Sequence, residues 1–527
     1  MNQHRYYSQV LIIGGGIAGA TTALVLADAG FEITLIVPSK KLDGGNSQLA
    51  QGGIVFHSQD DNKQLEHDIL NAGHQHNYLK AVRFLCKKGP EAVHRLLIER
   101  IGIPFEIDEQ KGTWSFTREG GHSSARIIHC ADHTGKSIME GLLKEIQKTS
   151  NIQILTHRTA IDLITTHHHA QLKEYRYNPE NQCLGAYVFN EQTNEVETLL
   201  ANWTVLATGG IGQIYLHTTN TEASIGSGIA MAHRASVKLT DLEYVQFHPT
   251  ALYSCNKTQK FLITEALRGE GAKLTNTQGK AFMKKYDTRA ELAPRDIVSR
   301  AIMEELLHTG EQCVYLDLSS VSHDITKRFP TIYNYCYQQG LSIKSSPIPV
   351  VPAAHYFCGG ILTDTKGQTS LARLFAVGEC SCTGVHGANR LASTSLLEGL
   401  LWGYNTGLYI SRKKNKKNFL STRIINSIPN WECTGNEKND DPALITQDWT
   451  SIRHIMWNYV GICRTGSRLK RAFEELRDLS RHLHDFYKNT PISKPIIDLF
   501  HGSQAAYIIT QKALLNTKSI GCHYRIN

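Results

Sequence analysis

The chain has 527 residues of ordinary globular composition and a formal net charge of +8. At ~150 residues per domain that length predicts about three to four domains and excludes a single hydrophobic core. The basic excess is local: Arg412, Lys413, Lys414, Lys416 and Lys417 crowd into SRKKNKKN, which reads as a solvated spacer rather than a nucleic-acid face. Twelve cysteines occur without a CxxC pair, the nearest approach being Cys380 and Cys382, so zinc and iron–sulfur patterns are lacking and reduced thiols in a cytosolic protein are expected. No run approaches ~18 apolar residues and the start before Val10 is polar, so neither a membrane span nor a leader is expected.

In chain order, the apolar run Val10 to Ile13 breaks at Gly14, a helix follows through Ala29 to Gly30, and a second apolar run covers Ile33 to Val37. This is a βαβ unit. Thr204 to Thr208 ends on Gly209-Gly210, and Leu374 to Val377 ends on Gly378-Glu379. Glycine-terminated strands at three distant places predict one parallel sheet assembled from both halves of the chain. The stretch from about 240 to 350 lacks such units and reads as an inserted lobe. Beyond the basic linker, Leu469, Phe473, Leu476, Leu479, Leu483 and Phe486 recur at three- and four-residue steps up to Pro491, predicting an amphipathic helix. His167, His168 and His169 lack spaced acidic or thiol partners and read as a loop cluster, with no metal expected.

Gly14-Gly15-Gly16-Ile17-Ala18-Gly19 fits GxGxxG between a strand and a helix, where a pyrophosphate can approach the helix N-terminus. The acidic residue ~20 positions on that would hold an NAD ribose is replaced by Pro38-Ser39-Lys40. That argues against a plain NAD-dependent dehydrogenase, and the VLATGG and LFAVGE elements suit a flavoprotein holding FAD, with Glu379 the natural partner of a ribityl hydroxyl.

The inserted lobe and its exit carry QFHPT (246–250), TEALRGEG (264–271), Pro294-Arg295-Asp296, His355 in VPAAHYFCGG and Gly387-Ala388-Asn389-Arg390. Arginines and histidines beside a flavin make a receptor for a small dicarboxylate, because a guanidinium fork matches a carboxylate. These phrases resemble those of the L-aspartate oxidases, in the succinate dehydrogenase and fumarate reductase flavoprotein superfamily. The resemblance runs from about Val10 to Leu400 and returns in MWNYVGICRTGSRL.

The resemblance implies an α/β fold: a Rossmann-type FAD-binding domain (residues 1–238 and 351–410), an inserted α+β capping domain (239–350), a basic linker (411–430) and a C-terminal helical domain (431–527). It implies oxidation of L-aspartate to iminosuccinate with O2 or fumarate as acceptor, in bacterial cytoplasm, as the first step of NAD synthesis through quinolinate. Coupling to a quinolinate synthase comes with that reading, and membrane and nucleic acid do not.

Carried over from the family, flavin contacts fall on Gly14 to Gly19, Ser39, the loop Asn46, Ser47, Gln48, Leu49, Ala50, Gln51, Gly52 and Gly53, and on Ala160, Ser227, Glu379, Ser395 and Leu396. Arg295 matches the catalytic arginine, with Glu265 and Arg268 as its proton relay. His248, Thr264, His355 and Arg390 match carboxylate ligands. Asn46 stands where membrane-bound relatives carry the histidine that links FAD covalently, so a non-covalent flavin is expected. Glu119, in TREGGHSSAR, is expected to meet the substrate ammonium, with its glycines letting the loop close and a surface ion pair to Arg118 or Arg126 as the alternative. Two departures stand out: Ser227 replaces a family aspartate in Gly226-Ser227-Gly228, and Lys518-Ser519-Ile520-Gly521 replaces a motif ending in Arg-Gly. The competing functions are a soluble fumarate reductase or a succinate dehydrogenase-type subunit, and a flavin-binding scaffold without turnover.

Overall fold

A computed structural model describes residues 4–42, 44–57, 61–254, 258–321, 324–414, 419–432, 435–437 and 441–526. Cys255, Cys433, Lys416 and Lys417 lie outside the described residues.

The three glycine-terminated runs meet in one sheet. Strand Arg5–Ile13 lies between Ile33–Ile36 and Glu195–Leu206, parallel to both, and Ile152–Leu155 extends the sheet beyond Ile33–Ile36. Strand Glu195–Leu206 is forked. Its first half pairs antiparallel with Cys183–Asn190, and its last residues, Thr204 to Leu206, pair parallel with Leu374–Ala376. Arg158–Thr165 closes the far edge, antiparallel to Cys183–Asn190. In register, Ile13 sits beside both Ile36 and Leu206, and Leu206 beside Ala376. The carboxyl ends of strands from both halves therefore stop at one level, and their glycine turns line one crevice, where open α/β sheets bind ligands.

Helix Ile17–Asp28 is buried on every side from Ile17 to Ala27, because it is sandwiched between the sheet and helix Ser395–Ser411. The second helix presents Gly399, Gly403 and Gly407 to it at every fourth position. A Cβ on Gly403 would stand 2.5 Å from the Ala18 carbonyl oxygen, and one on Gly407 would stand 2.7 Å from Val25. Close packing of the two helices delivers the start of Ser395–Ser411 to the crevice.

The middle of the chain builds an antiparallel sheet in the order Val245–Leu252, Ile348–Phe357, Val314–Asp317, Lys273–Thr275. It has its own apolar cluster, from Leu252 through Ile302 to Val351. Helix Arg295–Thr309 packs on it, with Ser299 Oγ donating to the Phe247 carbonyl at 3.0 Å.

The C-terminal part is three helices, Pro442–Tyr459, Gly466–Asn489 and Lys494–Leu515. The amphipathic stripe is where periodicity places it: Leu469, Leu476 and Leu483 are buried, and Phe473 stacks on Tyr507 at 5.3 Å. Among the described residues no helix is long and apolar enough to cross a membrane. His167, His168 and His169 lie not in a loop but in the one-turn helix Thr166–His169, where His167 and His169 are tied to Asn178 and Thr165.

Candidate active site

The carboxyl ends of the parallel strands open into a cavity of about 1030 Å³ that continues under the inserted sheet. That is the upper end of the ~300–1,000 Å³ typical of ligand pockets, as a dinucleotide with a substrate beside it requires.

At the dinucleotide end, Gly14 has φ +114°, and a Cβ there would lie 2.1 Å from the Ala207 carbonyl oxygen. A Cβ on Gly19 would lie 2.1 Å from Gly14 O, so Gly14 and Gly19 lock helix to strand. Gly14, Gly15, Gly16, Ile17 and Ala18 line the cavity, whereas Gly19 lies outside its wall. Ser39 and Lys40 both line it, as do Asn46, Ser47, Leu49, Ala50, Gln51, Gly52, Gly53, Ala160, Ser227, Ser395 and Leu396. Gln48 does not: the Gly45–Leu49 turn carries it outside. Ser47 Oγ accepts the Ile17 amide at 3.1 Å, fixing the loop against the helix start.

Asn46 bridges to the segment before Ser227, accepting from Thr221 N and donating to Ser224 Oγ, both at 2.8 Å. Glu379 Oε1 accepts the Phe357 amide at 2.9 Å. Burial pushes the Glu379 carboxyl up to about 7, against the pull of that amide and of Arg390. Gln51 supplies the fit test for FAD: its amide nitrogen holds Leu262 O at 2.9 Å, while its buried Oε1, on the cavity wall, has no partner among the described residues. A glycine-floored cradle with an acceptor awaiting a donor suits a flavin dinucleotide.

At the other end, five segments distant in sequence converge. Gln246 Oε1 accepts from Arg295 Nη1 at 3.2 Å and from Arg390 Nε at 3.3 Å, while its amide nitrogen donates to Asn389 Oδ1 and Arg390 O. One oxygen thereby spaces two guanidiniums. Arg295 Nε donates to Glu265 Oε2 at 2.7 Å, and Arg268 lies 3.5 Å from the other carboxylate oxygen. Arg268 is off the cavity wall, behind Glu265. Burial alone would raise the Glu265 carboxyl, but Arg295 and Arg268 outweigh it and hold it below the usual range.

Arg390 Nη1 donates to Ser395 Oγ at 2.6 Å, and its guanidinium stacks 4.5 Å above the Tyr356 ring. Burial and the Arg295 charge bring Arg390 down to about 10. The His248 and His355 rings stand 5.1 Å apart. Burial, with the Arg295 charge on His248 and the Arg390 charge on His355, drives both well below the usual histidine range, so both rings are neutral. Thr219 Oγ1 meets His355 Nδ1 at 2.8 Å, and Thr264 caps helix Glu265–Gly269 through the Ala266 amide.

Glu119 lines the same cavity, and its Oε2 accepts from Ser393 Oγ at 2.7 Å. The surface ion pair is not formed: Arg118 Nε donates to His122 O, and Arg126, 1% exposed, spends its donors on Asp61, Asp68, Ser123, Ser124 and His122. The loop is stapled, and Gly120 serves close approach, since a Cβ there would lie 2.1 Å from Glu265 Oε1.

Sequence reasoning passed over Gln246, Ser393 and Thr219. Gln246 was within reach, because residues two apart on a strand share a face and His248 had been singled out; Ser393 and Thr219 carried no local signal.

A family profile described as an FAD binding domain matches residues 9–396. The chain is 42% identical to the L-aspartate oxidase of Pseudomonas aeruginosa over 538 aligned residues, covering 100% of this chain and 96% of that one. It is 39% identical to the L-aspartate oxidase of Vibrio cholerae, covering 100% and 97%. Among solved structures, a variant of the FrdA chain of E. coli quinol fumarate reductase superposes with a TM-score of 0.85 at 26% identity, covering 100% of this chain and 92% of that chain. The shared frame is that of the fumarate reductase flavoproteins, and the end-to-end identity places the chain within it: it belongs to the L-aspartate oxidase family.

Proposed function

We propose that the cavity holds FAD along the strand ends and L-aspartate beneath the inserted sheet, and that the chain oxidises L-aspartate to iminosuccinate. The observation that carries this is the pair of guanidiniums, Arg295 and Arg390, spaced by one oxygen of Gln246, with the Glu119 carboxylate lining the same cavity within reach of their charge. Two cations suit two carboxylates. A carboxylate beside them is a liability for succinate and an asset for a substrate that brings an ammonium.

FAD bound there supplies the two-electron acceptor for the Cα–H bond. The protein's part is placement and proton traffic. Arg390 with His355, and Arg295 with His248 and Thr264, hold the two carboxylates. Neutral imidazoles donate there without adding charge. Glu119 takes the ammonium, which must give up one proton before hydride can leave Cα, and its carboxylate, with a proton affinity raised by burial, is the group placed to receive that proton. With fumarate as the electron acceptor, Arg295 delivers a proton to carbon. A guanidinium with a pKa above ~12 can do so only if its proton is replaced. Glu265, hydrogen-bonded to Arg295 at 2.7 Å and backed by Arg268, is the group placed to replace it. Both O2 and fumarate serve as acceptors in this reading, and the unstable imine is handed on towards quinolinate and NAD. Asn46, an amide engaged with Thr221 and Ser224, forms no covalent bond to the flavin.

Anaerobic mixing tests this directly. L-Aspartate should bleach the flavin absorbance, succinate should perturb it without bleaching, and fumarate should restore the reduced enzyme. Bleaching by succinate but not by L-aspartate would make the chain a succinate-oxidising enzyme.

A further inference from the structure

We propose that Ser393 is a positioning residue for amine recognition, its hydroxyl held by the flavin loop so that it fixes Glu119 as a hydrogen-bond acceptor facing the substrate. The proposal rests on the reading of Glu119 as the group that meets the ammonium.

The junction is built from three segments. The Gly53 amide, in the flavin loop, donates to Ser393 Oγ at 3.4 Å, and Ser393 Oγ lies 2.7 Å from Glu119 Oε2. A backbone N–H can only donate, so the Ser393 oxygen accepts there and its own hydrogen is directed at Glu119. A 2.7 Å contact is in the range of O–H donors to charged acceptors. The backbone aims the side chain: Ser393 has φ +55°, and its carbonyl accepts the Val55 amide at 3.3 Å. Space is tight, since a Cβ on Gly52 would lie 2.4 Å from Glu119 Oε1 and 3.3 Å from Ser393 Oγ. Next door, His122 of the Glu119 loop holds Ala392 O at 2.9 Å. One short turn thus carries Arg390, a carboxylate ligand, and Ser393, the support of the amine ligand, and sets the distance between them.

Ser393 also bears on the charge of Glu119. Burial drives the Glu119 carboxyl up, and Glu265 on its neighbouring helix adds to this; Ser393, Arg295 and Arg390 oppose it. On its own loop His122 is neutral, pulled down by burial to about 4, and Arg118 is turned to the His122 carbonyl. Without the hydroxyl, Glu119 takes up a proton at higher pH, and a neutral carboxyl is a poor partner for an ammonium.

The test uses the FAD-loaded full chain as Ser393→Ala and Ser393→Gly, each alone and combined with Glu119→Gln. Glycine tolerates the positive φ, so Ser393→Gly removes the hydroxyl without backbone strain. Flavin circular dichroism verifies an intact cofactor site. The expected result is a roughly tenfold rise in aspartate KM near neutral pH. The acid limb of the aspartate kcat/KM profile should move to higher pH, with recovery in alkali, and the succinate inhibition constant should stay within about twofold. In the Glu119→Gln background, removing the hydroxyl should add nothing further. Aspartate and succinate weakening together, or effects of the two substitutions that simply add, overturns the proposal: Ser393 then only holds the Arg390 turn. If Glu119→Gln changes the ratio of aspartate to succinate affinity and Ser393→Gly does not, Ser393 alone is misassigned. If neither changes it, the reading of Glu119 fails and takes this proposal with it.

Discussion

Replacing Glu119 by Gln removes one charge with almost no change of shape. The Gln carbonyl can still accept from Ser393 Oγ, which now lies 2.7 Å from Glu119 Oε2, so the stapled loop has no reason to move. What is lost is the attraction for an ammonium. Two unit charges ~4 Å apart at an effective dielectric of ~20 attract by about 4 kcal/mol. That is a ceiling, because the charges of Arg295 and Arg390 already act on Glu119. Charge-assisted hydrogen bonds contribute about 1.5 to 3 kcal/mol. At ~1.4 kcal/mol per factor of ten, the aspartate KM should rise roughly ten- to a hundredfold. Succinate brings no amine and meets one fewer repulsive carboxylate, so it should inhibit as strongly as before or more strongly. Steady-state oxidation of L-aspartate, with succinate as competitive inhibitor, measures both numbers in one preparation. Equal weakening of the two ligands would show that Glu119 shapes the loop and does not read the nitrogen.

Arg295→Gln should lower fumarate reduction by about 10² to 10⁴, the usual worth of a positioned proton donor, and activity within about threefold of the parent would remove Arg295 from that role. Acid precipitation of the holoenzyme should leave the yellow colour in the supernatant; a yellow pellet would show a covalent flavin and contradict the place given to Asn46. Burial pushes Glu379 up to about 7. The folded apoprotein therefore keeps a proton that the unfolded chain, with an ordinary carboxylate near ~4.3, has lost. Stability from this group must fall as pH rises from that range towards about 7, then level off. Thermal melts of apoprotein across pH 5 to 8 should show Glu379→Gln gaining on the parent over that window, and a difference independent of pH would refute the assignment.

Much of the frame was legible because its signals are local. An apolar run ending on glycine is a strand meeting a phosphate turn wherever it occurs, and three of them were found to share one level of one sheet. Helix Ile17–Asp28 was legible from its flanking glycines and not from periodicity, since it is buried all round and has no polar face. The four-residue spacing of Gly399, Gly403 and Gly407 is a local signal that went unread, whereas the loop 117–126 was not legible at all. Its glycines look like mobility unless it is known that Arg126 reaches Asp61 and Asp68, and nothing local to Arg126 announces partners 65 and 58 positions back. Ser393 escaped for the same reason: it acts by touching two segments remote from its own, and such convergence is a property of the fold.

The forked strand has a consequence for how the molecule is made. On the side away from Leu11 to Ile13, Thr204 to Leu206 have Leu374–Ala376 as their parallel neighbour, and the inserted lobe lies between them in the chain. As the polypeptide leaves the ribosome, that stretch of strand waits as an open edge while the inserted lobe emerges. Contacts of such sequence separation form slowly, and an unpaired edge recruits other chains. Glu379 and Arg390 arrive only after the edge is covered, so flavin and substrate ligands are completed together and late. A product truncated before Leu374 should therefore be an aggregating species that binds no flavin, and supplying FAD during synthesis should rescue full-length chains but never such fragments.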